Sequence, residues 1–477
     1  MSAAFDLAIV GAGPAGMAAA ITAADLGLNV ALLDEQPEPG GQIYRGIERL
    51  AATRPQHLDW LGPDYAAGLE LTRALRNTKL EYFDQAQVWQ IEPAVDGRLF
   101  YKRHITKSGA AGILTAKKFL IAPGAMERPM PVPGWTLPGV MTCGAAQTVL
   151  KAHGLAPSGR FVLAGCGPLL LLLATQLLRA GVKPAAILET EINRWSALPR
   201  LPGFLAAPGY LSKGLALLRD IKAAGIAYHK GVTHLAIKGD TQAREIEYTA
   251  GGATHAMPVD TVFLHQGVVP NGNLAWSLRL QHEWDDVQRA FRPALDAYGR
   301  SSNAAILVAG DAGGIIGAKG AEAMGRIAAC AAAIDTGKLT LNAGNERAND
   351  ARAELAKHRG ARPFLDTLYR PQQPWIAPPD ADTVVCRCEE VRAGEIRRLV
   401  TEQQCPGPNQ MKSFVRCGMG PCQGRLCGLT TVELIAECRG LPVQEIGYYR
   451  IRSPIKPVTV GDLATLDVPQ REDAVGL

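Results

Sequence analysis

The chain opens on a block of apolar and small residues with almost no polar interruption. Leu7 to Val10 form a continuous apolar run, which predicts a strand buried on both faces. Gly11, Gly13, Pro14, Ala15 and Gly16 follow at once and lead into an alanine-rich stretch that predicts a helix. Val30 to Leu33 then predict a second buried strand, ending in Asp34-Glu35. The same order returns in "RFVLAGCGPLLLLLATQLLRAGVKPAAILET" (160–190), where a strand, Gly165-x-Gly167, a helix, a strand and Glu189 succeed one another. A third stretch, "NAAILVAGDAGGIIGAKGAEAMGRIAA" (303–329), has an apolar strand ending in Gly310-Asp311, then glycines and a small-residue helix. The most apolar run of all, "LLLLLATQLL" (169–178), is far shorter than the roughly 20 residues that cross a bilayer, and predicts a buried helix.

The glycine spacing carries chemistry. Gly11 permits the tight turn, Gly13 lets backbone approach a pyrophosphate, and Gly16 lets the helix pack close to the strand. Pro14 and Ala15 open the helix, whose free N–H groups and positive dipole end attract phosphate. A carboxylate about twenty residues on binds a ribose; register favours Asp34, with Glu35 second. Strand, glycines, helix, strand and acid in this order make a dinucleotide site.

The stretch 303–329 resembles the second flavin fingerprint of the two-dinucleotide-domain flavoproteins, the glutathione and thioredoxin reductase group. The resemblance implies that Asp311, after Gly310, contacts the ribityl chain or its phosphate. "GGQIYRG" (40–46), with Gly41 and Gln42, matches a loop of that group that passes near the cofactor, so FAD is expected. "FLIAPGAMERPMPVPG" (119–134), with Gly124, and "DTVFLHQGVVPN" (260–271) look like the crossings between the FAD domain and a second, NAD-like domain. In that second domain Leu170 replaces the third glycine, so the fold is expected while its ligand stays open. The acid Glu189 lacks a following arginine pair. If a nucleotide binds there, NAD or another adenine nucleotide in a static role is expected over NADP.

At 477 residues the chain is long enough for two to four domains, and 20% charged with 47% hydrophobic residues marks a globular protein. The net charge of +5, without a basic block, argues against a nucleic-acid partner. The start "MSAAFDLAIVGAG" has no secretory pattern, so the cytoplasm is expected. The reductases' paired flavin-side cysteines are missing: Cys143 and Cys166 stand alone, and His265 is expected to be structural. No catalytic residue is assigned. The lack of a substrate-activating base points to electron transfer.

Ten cysteines in a reducing compartment argue against disulfides, and seven of them lie beyond residue 385. "CRCEE" (386–390) and "CGMGPCQGRLC" (417–427) place five thiols on loops at helix starts, a soft donor set for iron–sulfur or zinc. A [2Fe–2S] cluster needs four. The pairing C-x-C is unusual for zinc, and with the glycine-flanked downstream pair it resembles the bacterioferritin-associated ferredoxin-like [2Fe–2S] domain. That resemblance selects Cys386, Cys388, Cys422 and Cys427 as ligands, with Cys417 spare below the turn. The second pair here is C-x4-C where that family more commonly has C-x-x-C, which keeps Cys417 as a substitute.

Taken whole, "GAGPAGMAAA", "GGQIYRG", "VAGD" and "CRCEEV…GMGPCQGR" resemble the larger flavoprotein subunit of bacterial opine oxidases and the similar subunits of hydrogen cyanide synthase and hydroxyproline dehydrogenase. The resemblance implies an α/β chain of two Rossmann-like domains and a small helical [2Fe–2S] domain. The expected boundaries are 1–118 with 285–336 for FAD, 119–284 for the NAD-like domain, 337–380 for a linker and 381–477 for the cysteine module with its tail. It implies a hetero-oligomer with a smaller, FAD-containing, amine-oxidising subunit. A further candidate partner is a small third iron–sulfur subunit. The rival expectations are a self-sufficient NAD(P)H-dependent oxidoreductase and a scaffold with vestigial sites.

Overall fold

The computed structural model describes residues 5–466 apart from 94–96, 104–110, 191 and 206. Phe5–Val10 forms the centre of a seven-stranded sheet, flanked by Val30–Leu33 on one side and Ala111–Ile121 on the other. All three are parallel, and Glu81–Phe83 and Ile306–Val308 extend the parallel part at its two ends. Ala111–Ile121 is long enough to serve twice. Its last residues pair with the first strand, while its first residues pair antiparallel with Arg98–Arg103, which in turn pairs with Ala86–Glu92.

A second, all-parallel sheet of five strands is centred on Phe161–Cys166 and Thr261–Gln266. The helix Pro168–Arg179 buries Leu170, Leu171, Leu173 and Leu177, as the leucine run predicted. Leu170 is fully buried at the position of the missing third glycine, so a full side chain separates helix from strand there. The two sheets are joined where Ala125–Glu127 pairs antiparallel with Val268–Pro270, the two crossings of the chain. A three-stranded antiparallel meander, His234–Pro258, lies beside the second sheet.

The N-terminal helix Pro14–Asp25 packs along Ala318–Asp335, and small residues make this contact as close as backbone allows. A Cβ on Gly325 would stand 2.1 Å from the Ala15 carbonyl oxygen, and one on Gly16 would stand 1.8 Å from that of Gly11. The segment 337–380, expected as an ordered linker with a polar helix ahead of its prolines, contains Leu341–Leu368, a 28-residue helix laid against Ala318–Asp335. The cysteine module is helical, built on Ala393–Glu402, Pro408–Val415 and Gly428–Arg439. One apolar core runs from Phe5, Ala8 and Phe119 of the first sheet to Ile396, Leu434 and Tyr449 of the module. Among the described residues, no helix is long and apolar enough to cross a membrane.

Because Gly325 lies under the Ala15 carbonyl with no room for a methyl group, Gly325→Val should lower stability by about 1–3 kcal/mol, the usual penalty of overpacking. Urea unfolding of the variant beside the parent measures it; an unchanged midpoint would show that the helices can separate freely.

Candidate functional site

The N-terminal turn has the form of a dinucleotide cradle. Pro14–Asp25 and Ala318–Asp335 both begin on a glycine, Gly13 and Gly317, that offers no side-chain cap. Two helix N-termini with free N–H groups therefore sit on neighbouring elements, a ready anion site. Gly41 closes over the turn: a Cβ there would come 2.8 Å from the Cα of Gly13. Gly40 donates its N–H to the Ala12 carbonyl at 2.8 Å, fastening the "GGQ" loop to the turn.

Asp34 ends the second strand and accepts from Ala12 N at 2.6 Å and from Gln36 N at 2.8 Å. Burial pushes its pKa up, against the lowering pull of those two donors. Glu35 points elsewhere and forms an ion pair with Lys456. On the second fingerprint, Asp311 accepts from Ile316 N at 2.8 Å and Gly317 N at 2.9 Å, which shapes the approach to the alanine-rich helix. Gly310 presses on Ala15, where a Cβ would meet the alanine Cβ at 2.8 Å. Apart from Glu35, the residues named from sequence in both fingerprints thus converge on one place. Gly124 accepts through its carbonyl from Asn271 N at 3.0 Å, tying the two crossings together.

Two side chains that pattern reasoning missed brace this site. Lys151, buried in the helix Cys143–His153, donates to the Gln42 carbonyl at 3.0 Å and to Gln147 Oε1 at 2.8 Å. Burial, then the charge of Arg45, pulls its pKa down to about 7. Tyr44 reaches the buried Glu322 of Ala318–Asp335 at 3.3 Å. Both partners are distant in sequence, so no local pattern could have announced them.

The second fold carries the same turn with a different mouth. Gly165 and Gly167 have φ of 132° and 124°, and the helix start at Gly167 is again uncapped. Here His265 lies over the turn: a Cβ on Gly167 would come 3.1 Å from its Nε2, and its Nδ1 is 2.5 Å from Glu127 Oε1. Glu127 also accepts from Gly144 N at 2.6 Å, so the histidine is held within a structural network. Glu189 accepts from the Tyr228 hydroxyl at 2.8 Å. The chain itself crosses nearby: Asn193 donates to the Arg370 carbonyl at 3.2 Å, Gln372 donates to Asn193 at 2.8 Å, and Cys166 Sγ is 4.0 Å from the Tyr369 carbonyl. Cys143 and Cys166 are buried, and burial raises both thiols, that of Cys166 to about 11. Neither is poised as a nucleophilic thiolate.

In the cysteine module the five thiols form two neighbouring groups. Cys386, Cys417 and Cys427 are buried, with their sulfur atoms all within 4.8 Å of one another. Cys388 is exposed and lies 3.7 Å, sulfur to sulfur, from the half-buried Cys422. A tetrahedral metal bonded to two thiolates at about 2.3 Å holds them about 3.8 Å apart, which the outer pair matches. Close approach explains Gly420, where a Cβ would stand 2.1 Å from the Cβ of Cys388. The four cysteines named from the ferredoxin-like pattern fall in these two groups, and so does Cys417. Hydrogen bonds from Cys417 and Cys427 hold the Cys386 thiol well below its usual range, aided by the backbone N–H groups of Gly418 and Glu389. Cys417 itself lies 3.3 Å from the Tyr449 hydroxyl and 3.5 Å from Thr431 Oγ1. Tyr449, buried and far along the chain, is another residue that sequence alone did not single out.

Asp34→Asn removes the charged acceptor of the Ala12 N–H. It also removes the charge expected to bind the ribose; a hydrogen bond to a charged group is worth about 1.5–3 kcal/mol, so loss of that bond should lower FAD affinity by roughly ten- to a hundredfold. Titration of the flavin-free chain with FAD measures it, and equal affinity would remove Asp34 from the site.

Comparison with known proteins agrees with this arrangement. Residues 5–337 match the pyridine nucleotide-disulphide oxidoreductase family, and residues 385–466 match the sarcosine oxidase A3 domain. The chain is 46% identical to the opine oxidase A subunit of Rhizobium meliloti, over 97% of this chain and 88% of that protein. It is 44% identical to the opine oxidase A subunit of Agrobacterium tumefaciens, over 97% of this chain and 92% of that protein. The fold is shared with L-proline dehydrogenase from P. horikoshii, at a TM-score of 0.72 and 19% identity over 97% of this chain and 80% of that one. The chain belongs to the pyridine nucleotide-disulphide oxidoreductase family, in the group that holds the opine oxidase A subunits.

Proposed function

We propose that this chain is the electron-relaying subunit of a heteromeric dehydrogenase that oxidises opines or related amino acids at a CH–NH bond. FAD and a [2Fe–2S] cluster are its cofactors, and a smaller, FAD-containing subunit performs the amine oxidation. The observation that carries this reading is the apolar core shared by the flavin-side sheet and the buried thiols, which packs a cofactor cradle and a metal-type thiol site into one unit. The relatives' naming as opine oxidase A subunits supports both the substrate class and a multi-subunit assembly. All ten cysteines are free, which suits a reducing cytoplasm.

FAD would lie along the turn of Gly11, Gly13, Pro14, Ala15 and Gly16, with its ribose at Asp34 and its other end towards Gly310 and Asp311. Gly41, Gln42 and Gly124 would line the loop and crossing beside it. The domain limits expected from sequence put this site between 1–118 and 285–336, with the cysteine module from 381. In the module Cys388 and Cys422 would hold the outer iron, and Cys386 and Cys427 the inner. Cys417 already has the Tyr449 hydroxyl and Thr431 as partners, and is the spare. Flavin takes two electrons and an iron–sulfur cluster one at a time, so the pair makes a relay. The protein's part is to hold both groups in a fixed relation, to keep water from the inner thiols and to offer N–H groups to their negative charge.

The second fold serves, in this reading, as support or as a static adenine-nucleotide site. His265 over its glycine turn and the crossing near Tyr369 favour that over a hydride donor.

The intact complex, purified with the subunits encoded beside this chain, should contain flavin, iron and acid-labile sulfide, and should reduce a dye when given an opine. Lack of turnover with any opine or amino acid sinks the proposal. Fast bleaching of the flavin by NADH in the isolated chain would favour a self-sufficient reductase instead.

The ligand choice has its own check. Cys388→Ser and Cys422→Ser should each abolish or shift the visible absorbance of the cluster, while Cys417→Ser should keep it. Loss of that absorbance in Cys417→Ser alone would move Cys417 into the ligand set.

A further inference from the structure

Four cations gather beside the thiol site from three separate segments. Arg279 follows the short helix Asn273–Ser277, Lys412 lies on Pro408–Val415, and Arg450 and Arg452 follow Tyr449. Side chains bring these segments together: Asn273 Nδ2 donates to the Gln423 carbonyl at 3.3 Å, and Gln423 Nε2 donates to the Pro454 carbonyl at 2.6 Å. Burial first, and then the charges of Arg450 and Arg452, push the Arg279 guanidinium down. Lys412 is lowered by burial and then by Arg452, with Arg279 adding to it and Cys427 opposing.

Among the described residues, none of these four cations has a carboxylate partner. Other arginines of the chain do: Arg289 pairs with Glu433, Arg300 with Asp335 and Arg397 with Glu437. Like charges held close without a counterion are unfavourable, and an opposite charge on a partner relieves that repulsion.

The place of the cluster says what the partner does. Lys412 Nζ lies 4.8 Å from the centre of the Tyr449 ring, and the Tyr449 hydroxyl is 3.3 Å from Cys417 Sγ and 4.0 Å from Cys427 Sγ. One aromatic ring therefore separates Lys412 from the buried thiols, and Arg279 and Arg452 are the cations that act on Lys412. Arg279, Arg450 and Arg452 are exposed, and so are Phe414 and Met419 of the same module. Arginine, aromatic residues and methionine are enriched in protein–protein interfaces. A second copy of this chain is a poor occupant, since each copy carries a net charge of +5.

We propose that Arg279, Arg450 and Arg452 form a docking surface for an acidic face of the protein that exchanges electrons with the thiol site. The inference rests on the relay reading above and adds the chemistry of its partner surface. Attraction between such faces speeds encounter and weakens with salt, because mobile ions screen it.

The test uses the cofactor-loaded chain and the purified smaller subunit encoded beside it, with binding followed between about 50 and about 500 mM salt. Two variants are compared with the parent: the charge reversal R279E/R450E/R452E and the milder R279Q/R450Q/R452Q. The expected result is weaker binding as salt rises. At low salt, binding should weaken by about tenfold or more for the reversal and less for the neutral variant, with a flatter salt dependence in both. Flavin and iron content should match the parent. Equal binding by parent and both variants overturns the proposal. It is also overturned if the variants lose iron, since the cations would then serve the thiol site itself. Binding of inorganic phosphate or of phosphatidylglycerol vesicles that the variants lose, with subunit binding unchanged, overturns it in favour of a free anion or a lipid surface. A parent chain without iron or sulfide would sink the relay reading, while charge- and salt-dependent binding to the smaller subunit would still be scored by itself.

Discussion

The contact on which the rest depends is the close packing of Pro14–Asp25 against Ala318–Asp335. Small residues permit it, with Gly325 beneath the Ala15 carbonyl and Gly310 against the Ala15 side chain. The two helices come from opposite ends of the first domain, and their first residues, Pro14 and Ala318, lie more than 300 positions apart in sequence. Their packing brings the first glycine turn and the Gly310-Asp311 turn into one site. It also sets two uncapped helix starts on adjoining elements, where backbone N–H groups have no internal partners. A larger residue at Gly325 would therefore disturb the cofactor cradle as well as a core contact.

The parts of this arrangement that were legible in the sequence are local ones. Strand, turn, helix and acid follow each other within some thirty residues, and each glycine acts through its own backbone, so Gly11, Gly13, Gly16 and Asp34 could be named at once. The leucine run at 169–178 reads as a buried helix on the same grounds, and Leu170 does fill the place of the third glycine. The side chains that brace these elements were not legible. Lys151 meets the Gln42 carbonyl 109 residues away, Tyr44 meets Glu322 after 278, and Lys456 reaches Glu35 after 421. No spacing rule extends over such distances.

The cysteine module shows the same division at smaller scale. That a thiol site lies there follows from the crowding of cysteines among glycines. How the thiols divide follows from the loop's path. The loop turns through left-handed residues at Arg416 and Gly418, with φ of 57° and 86°, on either side of Cys417. Cys417 is thereby placed inside with Cys386 and Cys427, while Cys422, five residues on, faces Cys388 near the surface. Tyr449 closes the inner side, and only the folded chain brings it there. The segment 337–380 carries the pattern of a polar helix followed by prolines. What the pattern did not convey is that this helix, Leu341–Leu368, packs along the alanine-rich helix of the first domain.

Two folds of similar pattern within one chain allow a direct physical comparison. Both have a parallel set of strands, a glycine turn with positive φ, an uncapped helix start and an acid at the end of the next strand. In the first, what approaches the turn is Gly41, a residue with no side chain. In the second, a histidine pinned by Glu127 lies over the turn, and Glu189 is engaged by Tyr228. The difference is made by side chains from other strands, not by the turn itself, which explains why the repeat alone could not decide its ligand. A second fold whose turn is covered from within the chain supports the proposed relay from a protein partner over reduction by a diffusing nicotinamide. Arg279, Arg450 and Arg452, which have no carboxylate partner among the described residues, and the exposed Cys388 are the groups that the proposed partner would meet.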